Sequence, residues 1–184
     1  DAEPGTLVNH GPIYVNEDTP ALPAPEKTTS DVLQSVEVKG LSYTFPDSDN
    51  GVHDVSFSMS RGSFTVVTGR IGSGKTTLLR TLLGLLPKKD GDVEWNGETV
   101  DALDDFFVPP RSAYTPQIPW LYSASLSDNL LMGLPQENGF NVDDAISAAV
   151  MEDDLVDLDD GLDTVVGPKG VRLSGGQMQR TAAA

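Results

Sequence analysis

The stretch Gly69-Arg70-Ile71-Gly72-Ser73-Gly74-Lys75-Thr76-Thr77 constrains this chain most. Its first eight residues follow G-x-x-x-x-G-K-[ST]. Glycines at the first and sixth positions let the backbone turn and approach oxygen atoms closely, and successive N–H groups form a concave anion nest. The preceding "SFTVVTG" is apolar and β-rich, which predicts a buried strand. The following "KTTLLRTLLGLLP" places Leu78, Leu79, Leu82, Leu83 and Leu86 on one face, which predicts a helix ended by Pro87. Strand, loop and helix in that order predict an α/β core. The positive end of the helix would face the phosphates. Lys75 offers a mobile cation to β/γ phosphates, and the Thr76 hydroxyl can ligate Mg2+.

Charge supports that placement. The 184 residues carry a formal net charge of −16. Yet Val55 to Lys89 holds no acidic residue, only Arg61, Arg70, Lys75, Arg80, Lys88 and Lys89. From Ser112 to Pro168 there is no Lys or Arg. An acidic chain without a basic stripe speaks against nucleic-acid binding. Cys is absent and only His10 and His53 occur, which excludes a thiolate site and disfavours a multi-His metal site. No apolar run approaches the roughly 20 residues of a membrane helix.

Residues 1–35, with Pro4, Pro12, Pro20, Pro23 and Pro25, predict an extended linker. "VEVKGLSYTF" and "VHDVSFSM" predict strands, as does "SAYTPQ". Asn96-Gly97 is a hairpin turn signal. Val142, Ala145, Ile146, Ala149 and Val150 form a stripe that predicts one helix from Asn141 to Asp153. Glu152 to Asp163 is strongly acidic and belongs at the surface.

A second motif decides between phosphate chemistries. In Leu173-Ser174-Gly175-Gly176-Gln177, Ser174 and Gln177 fit a capping box, and "QMQRTAAA" supplies helix formers. Ser174, Gly175 and Gly176 therefore stand at a helix N-terminus with free N–H groups, a second anion site.

The pair of motifs resembles the ATPase domain of ABC (ATP-binding cassette) proteins, over about Val36 to Ala184. The resemblance implies that residues 36–184 form an α/β P-loop NTPase core with an antiparallel β subdomain and a helical signature subdomain, C-terminally incomplete. It implies ATP and Mg2+ as ligands. Gly69 to Thr77 would hold ATP, with Lys75 and Gln117 catalytic and Thr76 and Gln117 on the metal. Leu173 to Gln177 would touch the ATP of a second domain packed head to tail. Gln117 lies 117 − 75 = 42 residues after Lys75, in the family's range, where the family has a glutamine that also senses the transmembrane domains. Phe45 falls where the family stacks an aromatic on adenine, with Tyr43 its rival, since strand alternation is taken to let only one face the base.

"YTPQIPWLYSASLSDNLLMGL" resembles the exporter branch. The implied function is an ATP-hydrolysing domain powering export, on the cytoplasmic face of a membrane such as the plasma membrane, through transmembrane domains, with residues 1–35 as the tether. Pro168-Lys169 depart from the acidic residue common before the signature, which bears on contacts to the membrane domains. The chain does not begin with Met and stops at "QRTAAA", which reads as a fragment. The family's aspartate-ending strand, catalytic Glu and switch His would follow the signature. Leu158 to Asp160 lie before it and read as an acidic turn. Little ATP hydrolysis is expected of the fragment alone. Two alternatives remain: a degenerate half of a heterodimeric transporter that binds ATP without hydrolysing it, and a soluble ABC protein.

Overall fold

The computed structural model describes residues 27–134 and 141–184. The first 26 residues of the expected linker lie outside these. The chain divides into two compact units, one built on residues 25–114 and the other on 115–184 among the described residues.

In the first unit, strands β1 (Ser35–Thr44), β2 (Gly51–Ser60), β3 (Asp90–Trp95) and β4 (Glu98–Thr99) form one antiparallel sheet in the order β2-β1-β3-β4. The reason is visible along β1. Val36 and Val38 point to the core at strand spacing, a register shift follows, and Leu41 and Tyr43 then resume on the same face. The irregularity spans Lys39-Gly40, and it moves the inward set by one residue. Asn96 and Gly97, both left-handed, close the β3–β4 hairpin as the sequence predicts.

Helix α1 (Lys75–Leu82) lies against β1 and β2. It buries Leu78 and Leu82 with Val52, Tyr43 and Trp95, while Leu79 stays exposed. The buried Thr81 hydroxyl donates to Thr77 O at 2.8 Å and is thereby satisfied. The helix ends at Leu82, earlier than Pro87 requires. Short helix α2 (Leu103–Phe106) follows β4. Residues just before β1 are tied to this sheet. Asp31 is buried, accepts from Thr28 N and Oγ1 at 2.8 and 2.6 Å, and pairs with Arg111 Nε at 2.8 Å. Trp95 Nε1 donates to Ser30 O at 3.0 Å.

Two predicted strands are not formed. Ser63–Gly69 is irregular and exposed, with Phe64 at 92% of its full exposure. A strand needs a hydrogen-bonded neighbour and a face to bury, and among the described residues no strand pairs with this run. "SAYTPQ" is irregular for the same lack of a partner.

The second unit is helical: α3 (Leu126–Leu131), α4 (Val142–Ala148), α5 (Glu152–Val156) and α6 (Gly175–Ala183). Leu126, Ile146, Met151, Val166 and Leu173 form its core. The one helix expected from Asn141 to Asp153 is two. Met151 N–H bonds Ile146 O at 3.0 Å and Val150 N–H bonds Ser147 O at 3.1 Å, with Val150 at φ 56°. This is a Schellman motif with valine where glycine is usual, and Met151, buried with Ile146, supplies its apolar contact. α5 buries no residue, as its acidic sequence requires, and Leu158 to Asp160 form a turn.

Candidate functional site

A cleft of about 340 Å³ lies between the β1–β2 hairpin turn and the start of α1. Gly72 to Thr77 line it from the helix, and Phe45, Asn50 and Gly51 from the hairpin. Gly74 caps α1 with φ 88° and ψ 9°. This left-handed conformation suits glycine. A Cβ here would also stand 2.8 Å from Val52 Cγ1 and 3.3 Å from Gly51 O, so the loop and the hairpin meet at this residue. A Cβ on Gly69 would stand 2.7 Å from Ser73 Oγ, so the loop closes tightly on itself.

Lys75 Nζ donates to Gly69 O at 3.0 Å and Arg70 O at 2.8 Å. The ammonium is thus held across its own loop. Cation, helix N-terminus and nest converge on one cleft, an arrangement suited to a polyphosphate. Gly72, Ser73, Gly74, Lys75, Thr76 and Thr77 line the cleft, whereas Gly69, Arg70 and Ile71 do not. Ile71 is fully exposed. Among the described residues no group of three or more Asp, Glu, His or Cys could hold a metal. The Thr76 hydroxyl on the cleft fits Mg2+, which takes few protein ligands and relies on phosphate oxygens and water.

The two aromatic candidates separate by depth. Tyr43 is buried in the core at 7% exposure, whereas Phe45 is 41% exposed and lines the cleft. Alternation does not distinguish them, because residues two apart on a strand share a face. Their rings are in edge contact at 4.9 Å. Phe45 lies just beyond the end of β1, past the cover of the core.

The second motif is built in the helical unit. Ser174 caps α6: Gln177 N–H donates to Ser174 Oγ at 3.2 Å, and Ser174 N–H to Gln177 Oε1 at 2.8 Å. Leu173 is buried and anchors the segment, while Ser174, Gly175 and Gly176 are exposed. A Cβ on Gly175 would meet nothing within 4 Å. Farther along α6, Arg180 binds Asp154 of α5 through Nε–Oδ2 at 2.6 Å and Nη2–Oδ1 at 2.8 Å. The guanidinium beside it holds the Asp154 carboxyl below the usual carboxylate value, against an opposing effect of burial. The exposed Gln117 is fastened to the same helix, for its carbonyl accepts from Gln179 Nε2 at 2.8 Å.

Three of these features escaped the sequence. Asn50 carries a signal only once Phe45 N–H is seen to pair with Asn50 O, at 2.9 Å, across the turn. The Arg180–Asp154 and Gln179–Gln117 contacts span 26 and 62 residues and leave no local pattern.

Residues 52–184 match the family model described as ABC transporter. The chain is 35% identical over 166 residues to the "Probable multidrug resistance ABC transporter ATP-binding/permease protein YheI" of Bacillus subtilis, covering 90% of this chain and 28% of that protein. It is 33% identical over 156 residues to the alpha-factor-transporting ATPase of Saccharomyces cerevisiae, covering 78% of this chain and 12% of that protein. Among solved structures, a bacterial Atm1-family ABC exporter with ATP bound superposes with a TM-score of 0.69 at 26% identity, over 82% of this chain and 27% of that one. The chain thus spans under a third of the length of each of these proteins. Both glycine-rich helix starts fall within the matched residues, and the chain belongs to the ABC transporter family.

Proposed function

We propose that this chain is the ATP-binding part of an exporter, in which ATP hydrolysis drives movement of a substrate across a membrane. The observation that carries the reading is the cleft in which Gly74, Lys75 and the first turn of α1 converge. The triphosphate lies along Gly72 to Thr77, with Lys75 transferring its hydrogen bonds from Gly69 O and Arg70 O to β/γ oxygens. Phe45 offers a π face to the base. Thr76, whose hydroxyl lines the cleft, would hold Mg2+. When bound, that ion neutralises charge on the phosphate oxygens.

The signature helix acts on the ATP of a second such domain, arranged head to tail. Its exposed N-terminus and the open space at Gly175 favour close approach by a group from outside the unit. Transmembrane domains, on whose cytoplasmic side this domain works, receive the motion. Residues 1–35 lead in as tether, their last residues packed on the sheet, and 36–184 form the ATP-binding domain. The similarity to a multidrug resistance ABC transporter, to the alpha-factor-transporting ATPase and to a solved ABC exporter supports the exporter reading.

The test is ATP hydrolysis by the full-length protein in lipid vesicles. Lys75→Ala is expected to lower the rate by about 100-fold or more, as loss of a transition-state charge donor does. A rate equal to wild type would refute the assignment of Lys75.

A further inference from the structure

We propose that Asn50 is a specificity-determining residue that reads the edge of the nucleotide base. The proposal rests on the nucleotide reading above and deepens it.

Electrostatics orients the ligand in the cleft. The α1 side carries Lys75 and free N–H groups, whereas the hairpin turn carries Asp47 and Asp49. Phosphates belong at the first and are repelled by the second, so the base goes to the hairpin side. There Phe45 supplies the stacking face. Phe45 and Asn50 are the closing pair of the turn, joined by the hydrogen bond from Phe45 N–H to Asn50 O at 2.9 Å. A base lying on the ring therefore presents its edge toward the Asn50 side chain, among the described residues the only side-chain amide lining the cleft.

Other described asparagines are engaged in the fold. Asn96 Oδ1 accepts from Gln34 and Ser35 N–H groups. Asn129 bonds Tyr122 on both its amide atoms. Asn141 caps α4. Among the described residues, the Asn50 side chain makes no hydrogen bond, while its backbone is fixed, with N–H bonded to Ser48 Oγ at 2.9 Å. A positioned backbone with an uncommitted amide suits recognition. An amide offers a donor and an acceptor together, the pattern that matches the N6–H and N7 of adenine. Guanine presents two acceptors, O6 and N7, on that edge.

The experiment measures dissociation constants of ATP, GTP and inorganic tripolyphosphate for the full-length protein and its Asn50→Ala variant. Wild type is expected to favour ATP over GTP. Asn50→Ala should weaken ATP by about fivefold, leave tripolyphosphate unchanged, and bring the ATP/GTP ratio near one. An unchanged ratio in the variant, or no preference in wild type, overturns the role of Asn50 while the nucleotide site stands. Failure of wild type to bind ATP or tripolyphosphate overturns both. Asn50→Asp, which keeps the acceptor and loses the donor, should retain folding and lose the ATP preference; retention of that preference would overturn the proposal.

Discussion

Gly74 and Gly175 each stand at the start of a helix, yet the chain uses them for different reasons. Gly74 is left-handed, and a Cβ there would press on Val52 and Gly51. Its own fold requires it. Gly175 is helical, carries no positive φ, and a Cβ there would meet nothing. Glycine in a helix is costly relative to alanine, so its own fold does not explain it. One terminus is shaped by what lies beneath it in the same unit. The other is left bare, which the proposed approach of a second domain would use.

The comparison breaks most readily at Gly74. Gly74→Ala forces an L side chain into a left-handed conformation, at about 1–2 kcal/mol, and adds the contact with Val52. ATP affinity of the full-length protein, measured by titration, should fall by about tenfold or more, since each 1.4 kcal/mol is tenfold. Unchanged affinity would show that the loop does not depend on this conformation.

A smaller effect tests how the bare terminus is held. Asp154→Asn removes the charge that binds Arg180 on α6. The Asp154 side chain is 13% exposed but Arg180 is 40% exposed, so screening limits the loss to a small fall in Tm. Its sign with pH is defined. The folded carboxyl titrates below its ordinary value of 3.8, so its stabilisation is present above pH 3.8 and is lost as pH falls through the lower folded value. The Tm gap between wild type and variant should therefore be full at neutral pH and narrow in acid. A gap independent of pH would argue for a packing role instead.

Much of this was legible in the chain. The capping box at Ser174 and Gln177 depends on residues three apart, and the structure forms it as read. The Asn96-Gly97 turn is likewise local. What failed were readings that depended on distant partners. "SFTVVTG" has strand composition, but composition does not provide a neighbouring strand, and Phe64 and Val66 are exposed. The break after α4 was hidden because Val150 occupies a position where glycine would have announced it. Tyr43 and Phe45 could not be ranked by alternation. What ranks them is which residue the helix α1 unit covers, a matter of depth.

In the proposed function the N-terminus of α6 meets a ligand from outside its unit. Gly175→Ala in the full-length protein tests it directly, by thermal unfolding and ATP hydrolysis measured on the same sample. No loss of Tm is expected, with stability raised by at most about 1 kcal/mol, and hydrolysis should be at least about tenfold slower than in wild type. Hydrolysis at the wild-type rate would contradict that role for the terminus.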